Sequence, residues 1–170
     1  QFLFIRKSDN RLLGMLQVRH HFNDYLEKYA GFAVEEMMRS GVPASITLAQ
    51  GMLESNYGRS ELAVKANNHF GIQCHGEAWK GKRYEHMDAG ELRQFRKYKS
   101  VLESYEDHSN FLLKNKRYAF LFELERTDYK GWTRGLKKAG YAEDPAARGC
   151  TRYRYYADLH LHQRLERVYR

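Results

Sequence analysis

The chain has 170 residues, 42% of them hydrophobic and 14% aromatic, and its 29 Lys and Arg against 21 Asp and Glu leave a net charge of +8. That length and apolar content support one compact domain with its own core and exclude a disordered chain. No apolar run approaches the roughly 20 residues of a membrane-spanning helix, and the positive charge favours anionic partners without specifying one.

The apolar patch Phe2–Ile5 is too short for the hydrophobic region of a signal peptide, so a leader is expected to have been removed or never present. Residues 1–20 are expected to form an N-terminal arm, and 21–170 a single, mainly helical domain. Phe22, Leu26, Tyr29, Ala33 and Met37 recur at three- and four-residue steps, which predicts a helix over about Phe22–Arg39. Gly41 suits its C-cap, and Pro43 suits the first turn of the next helix. That second helix, about Ala44–Ser55, is apolar nearly all round and should be buried at the domain centre. A short helix over Ser60–Ala66 follows.

Between Gly71 and Tyr98 the pattern changes. Gly71, Gly76, Gly81 and Gly90 punctuate short stretches, which predicts an irregular β-hairpin lobe. Ser100 and Glu103 have capping-box spacing ahead of a helix carrying Leu102, Tyr105, Phe111 and Leu112. Tyr118–Leu124 reads as another short helix. Asp128 can cap one running through Lys138, which Gly140 ends. Ala157, Leu161, Leu165 and Val168 predict a closing helix in an atypical C-terminal segment from about residue 146.

Glu54 raises the chemical question. It ends the most apolar helix of the chain, at the terminus where the helix dipole disfavours a carboxylate. A buried or half-buried carboxyl there would be held protonated toward neutral pH and could donate a proton to a leaving oxygen. From these residues alone, a solvated or salt-bridged glutamate is the favoured reading and a general acid the sharper one. No Cys or His set has zinc spacing, so neither a metal nor another cofactor is expected. Cys74 and Cys150 permit one disulfide without requiring it.

The segments "GVPASITLAQGMLESNYGRSELAVKANNHFGI", "WKGK", "FRKYKSVLESYEDHSNFL" and "YKGWTRGLKKAGYAEDP" resemble the glucosaminidase domain of glycoside hydrolase family 73, over about Tyr25–Pro145. These are peptidoglycan N-acetylglucosaminidases of the flagellar-hydrolase and autolysin type. The resemblance implies a lysozyme-like fold, mainly α with a small β-hairpin lobe flanking the active-site cleft. It implies that Glu54 is the catalytic acid and that Tyr141, from "AGYA", lines the substrate site. It implies a second carboxylate in the lobe, for which Glu85 is the first choice, Asp88 the second and Glu91 the third.

Asn68 and Trp79 are further substrate-binding candidates. For Asn68 a structural role is the stronger reading; Trp79 is equally suited to stacking on a sugar or to pinning the lobe. Relatives with a similar "FGI-CH" segment often have a second cysteine just before "FR"; here Arg93 and Gln94 stand there, so Cys74 is either free or paired with Cys150. The implied partner is the peptidoglycan glycan strand, met outside the cytoplasm by a monomer with no membrane span. A muramidase or lytic transglycosylase on the same scaffold and a non-catalytic wall-binding module are the alternatives. Nucleic-acid binding has no motif to support it.

Overall fold

The computed structural model describes residues 7–88 and 90–141. Helix α1 spans Lys7–Ser40, α2 Ala44–Glu54, α3 Glu61–Ala66, α4 Val101–Lys114 and α5 Tyr129–Lys138. Strands β1 (Lys82–Asp88) and β2 (Glu91–Lys97) form an antiparallel hairpin between α3 and α4. A 3₁₀ segment at Lys116–Glu123 replaces the short helix expected over Tyr118–Leu124. The closing helix expected from about residue 146, and Cys150 with it, lie outside the described residues.

α2 is the centre of the body, as its apolar surface requires. Every residue from Ala44 to Met52 is buried. One side joins Phe22, Tyr25, Leu26 and Ala33 of α1, Phe70 and Tyr105 around Leu48 and Met52. Ile46 faces a second cluster built by Leu112, Tyr118, Leu121, Trp132 and Leu136. α1 and α4 are locked by Arg39, which donates to Glu36, itself only 2% exposed, and to Asn110 on α4.

α1 begins far earlier than the helix expected from Phe22, so residues 7–20 of the expected arm are helical. That stretch has no proline and one glycine, and extending a helix already packed from Phe22 onward costs little, because nucleation has been met. The caps are where the side chains place them. Ser60, Ser100 and Asp128 accept from the backbone N–H of Ala63, Glu103 and Gly131. Gly41 closes α1 at φ 83°. Pro43 occupies the N-cap of α2 and not its first turn, and its carbonyl accepts from Ile46 and Thr47.

The hairpin register pairs Tyr84 with Phe95, Glu85 with Gln94 and Asp88 with Glu91. Phe95 is buried against Leu62 and Ala66 of α3, with Tyr84 beside it. A bridge from Gln73 to Phe95 adds the preceding loop to the edge of β2. The lobe is thus anchored to α3, the element that directly follows the Glu54 turn.

Candidate active site

Glu54 is the last residue of α2 and its side chain is exposed. The burial anticipated from its apolar neighbours stops one residue earlier, at half-buried Leu53, because the helix reaches the surface there. Its carboxyl stands at the C-terminal end of the helix, the negative end of the helix dipole.

The turn after Glu54 is unusually constrained. Asn56, Tyr57 and Gly58 follow one another at φ 49°, 59° and 74°, a left-handed run that includes two non-glycine residues. Such a run persists only when its surroundings over-determine it. Here fully buried Ser55 does so: its hydroxyl donates to Gly51 O and accepts from Gly58 N. Tyr57 N also donates to Met52 O and Ser60 N to Ser55 O. The backbone that carries Glu54 is held from both sides.

Behind this turn lies a buried polar chain that the sequence did not reveal. Tyr25 Oη lies 2.8 Å from both His69 Nδ1 and Tyr105 Oη. Burial lowers the His69 pKa to about 4, so the ring is neutral at ordinary pH. Tyr105 donating to Tyr25, and Tyr25 to His69, uses each hydroxyl proton. Gly51 permits the approach, since a Cβ there would lie 2.5 Å from Tyr25 Oη.

The lobe carboxylates do not share a face. Side chains alternate along a strand, so Glu85 lies opposite Tyr84, His86 and Asp88. Glu85 is exposed, and Gln94 Nε2 donates to it at 3.4 Å. Asp88 is half-buried and paired with Arg93 at 3.0 Å; exposed Glu91 meets the same guanidinium at 3.2 Å. On the α3 side, Tyr84 Oη donates to Glu61 at 2.8 Å, and His86 lies 3.6 Å from the same carboxylate.

Asn68 is engaged with backbone, in keeping with the structural role that its sequence context favours. It is 1% exposed, donates to Ile72 O and Arg96 O, and accepts from Phe70 N and Ile72 N. Both amide protons and both lone pairs of its carbonyl are spent on backbone. Trp79 is likewise engaged with the lobe. Its indole donates to Lys82 O, lies under Arg96 at 4.7 Å, meets Tyr98 edge-on and covers Gly81, where a Cβ would clash with it. Cys74 is half-buried, has no disulfide partner among the described residues, and is raised in pKa by burial.

Tyr141 follows α5 through a Schellman turn. Gly140 adopts φ 69°, and Tyr141 N donates to Leu136 O. Its half-buried ring packs on the second core cluster, 5.9 Å from His108 and 6.1 Å from Tyr118.

A helical body around one buried helix, an acid at that helix's exposed end and a hairpin lobe beside it define a glycoside hydrolase of lysozyme-like architecture. Residues 30–161 match the glucosaminidase family model, described as mannosyl-glycoprotein endo-beta-N-acetylglucosaminidase, and the chain belongs to that family. It is 34% identical over 134 residues to the exo-glucosaminidase LytG of Bacillus subtilis, covering 71% of this chain and 46% of that protein. It is 35% identical over 119 residues to the peptidoglycan hydrolase FlgJ of Escherichia coli K12, covering 63% and 37%. The chain therefore spans less than half the length of these relatives.

The glycoside hydrolase domain of Salmonella typhimurium FlgJ superposes with a TM-score of 0.68 at 29% identity, over 86% of this chain and 92% of that one. A peptidoglycan hydrolase from Sphingomonas sp. A1 shares the fold, with a TM-score of 0.70 at 24% identity over 85% and 93%.

Proposed function

We propose that this domain hydrolyses peptidoglycan glycan strands, cleaving within them the β-1,4 bond between N-acetylglucosamine and N-acetylmuramic acid. The observation that carries the reading is Glu54: an acid at the C-terminal end of the buried central helix, on a backbone fixed by Ser55 and a left-handed turn, inside the matched family segment.

Glu54 acts as general acid toward the leaving oxygen. A bound glycan that displaces water from the exposed carboxyl favours the protonated form this role requires. Glu85 serves as base or as stabiliser of the oxocarbenium-like state. Among the three lobe candidates it is the one without an ion pair among the described residues, whereas Asp88 and Glu91 are committed to Arg93. Tyr141 lines the subsite of the reacting sugar. The reaction uses no cofactor. Its polymeric substrate places the enzyme outside the cytoplasm of a bacterium, where the net positive charge assists adhesion to anionic wall.

Digestion of purified peptidoglycan by the wild type and by Glu54→Gln, with mass analysis of the fragments, tests this reading. The wild type should release fragments ending in reducing N-acetylglucosamine, and Glu54→Gln should release essentially none. Anhydro-muramic products would instead identify a lytic transglycosylase. Among Glu85→Gln, Asp88→Asn and Glu91→Gln, the first should lose the most activity; a larger loss in Asp88→Asn would move the second role to Asp88.

A further inference from the structure

His108 on α4 has no exposed surface, and neither ring nitrogen has a hydrogen-bond partner among the described residues. Its ring lies flat on Phe70, with centroids 4.1 Å apart and planes 18° apart, and meets Tyr141 edge-to-face at 5.9 Å and 81°. Phe70 in turn touches α2, since a Cβ on Gly51 would lie 3.4 Å from its ring. One aromatic column therefore runs from α2, one turn before Glu54, through Phe70 and His108 to Tyr141. It crosses four separate chain segments, and His108 is the link between the two that carry the proposed acid and the proposed sugar-binding ring.

We propose that His108 is a positioning residue that acts through its ring, holding Tyr141 at a fixed place relative to the Glu54 end of α2. The inference rests on the role given to Tyr141 under the proposed function. Flat stacking and edge-to-face contact are directional and fix a ring more tightly than aliphatic packing does. With no conventional hydrogen bond to either nitrogen among the described residues, a planar ring of similar size should serve in its place, and an aliphatic side chain should not.

The test is a kinetic cycle on peptidoglycan with His108→Phe, His108→Leu, Tyr141→Ala and the double variant His108→Leu/Tyr141→Ala, each first checked for a folded state by thermal unfolding. Tyr141→Ala should lower kcat/KM by about a hundredfold, His108→Leu by about tenfold mainly in kcat, and His108→Phe by less than about twofold. Adding His108→Leu to Tyr141→Ala should change the rate little further, because the ring it positions is already gone. Multiplicative losses in the double variant, or equal losses in His108→Phe and His108→Leu, would overturn the positioning role. Full activity in Tyr141→Ala would instead remove Tyr141 from the site and the inference with it, so the two failures are told apart.

Discussion

Arg96 reaches from β2 to Asp107 on α4, and one guanidinium nitrogen, Nη1, donates to both carboxylate oxygens at 3.0 and 2.8 Å. Tyr98 Oη donates to the same carboxylate at 2.6 Å, and Trp79 covers the Arg96 guanidinium. Since the side chains of the pair are only 16% and 20% exposed, this junction, together with the Phe95 cluster on α3, fastens the lobe to the helical body. Asp107→Ala strands two donors and should cost about 2–3 kcal/mol in urea unfolding. Arg93→Ala at the hairpin tip, where the partners are far more exposed, should cost no more than about 1 kcal/mol. Equal costs would mean that the junction is not what holds the lobe.

Glu54 should matter more to chemistry than to stability. Its side chain is exposed at the end of α2, so the isosteric Glu54→Gln should move the melting temperature by no more than about 3 °C while abolishing hydrolysis. A larger fall in melting temperature would mean that the main role of Glu54 is structural.

Gly51→Ala should destabilise despite a better helix former. Alanine gains about 1 kcal/mol of helix propensity, but its Cβ would fall 2.5 Å from Tyr25 Oη, which is pinned by His69 and Tyr105. Overpacking of that kind costs about 1–3 kcal/mol. Tyr25→Phe removes the clashing atom, so Gly51→Ala should be tolerated better in that background than alone. Additive losses in the double variant would place the strain elsewhere.

Acid should unfold the domain partly through its buried histidines. Burial lowers His69 to about 4 and His108 to about 3, from 6.5 in the unfolded chain. Between those values unfolding takes up a proton at each ring. Their contribution is fully present above pH 6.5 and is lost as the pH falls toward 4 for His69 and 3 for His108. The slope reaches about 1.4 kcal/mol per pH unit for each histidine. His108→Phe removes one of the two, so denaturation at pH 7 and pH 5 should show the variant gaining on the wild type as the pH drops. A constant difference between them would show that His108 does not titrate on unfolding.

Much of the fold was legible because its signals are local. Ser60, Ser100 and Asp128 cap helices within three residues of themselves, and Gly41 and Gly140 end helices through their own backbone angles. The all-round apolarity of α2 announced its central burial, and the "LES" and "NNHFGI" segments carried the family. The start of α1 was misjudged because helix extension depends on a packed nucleus further along the chain and leaves no mark at residue 7.

The residues of the site divide along the same line. By itself the sequence determined the family, the order of elements and Glu54 at the end of a buried helix, since these depend on residue type and short spacing. Only the tertiary structure decided that Glu54 is exposed, that Asn68 spends its whole amide on backbone, that Trp79 pins the lobe, and that Glu85 and Asp88 lie on opposite faces. It alone brought Tyr25, His69 and Tyr105 into one chain of hydrogen bonds and laid His108 between Phe70 and Tyr141. Those are contacts between segments distant in sequence, set by how helices and hairpin pack, and a side chain's chemistry says which partners suit it but not which of them the fold will bring within reach.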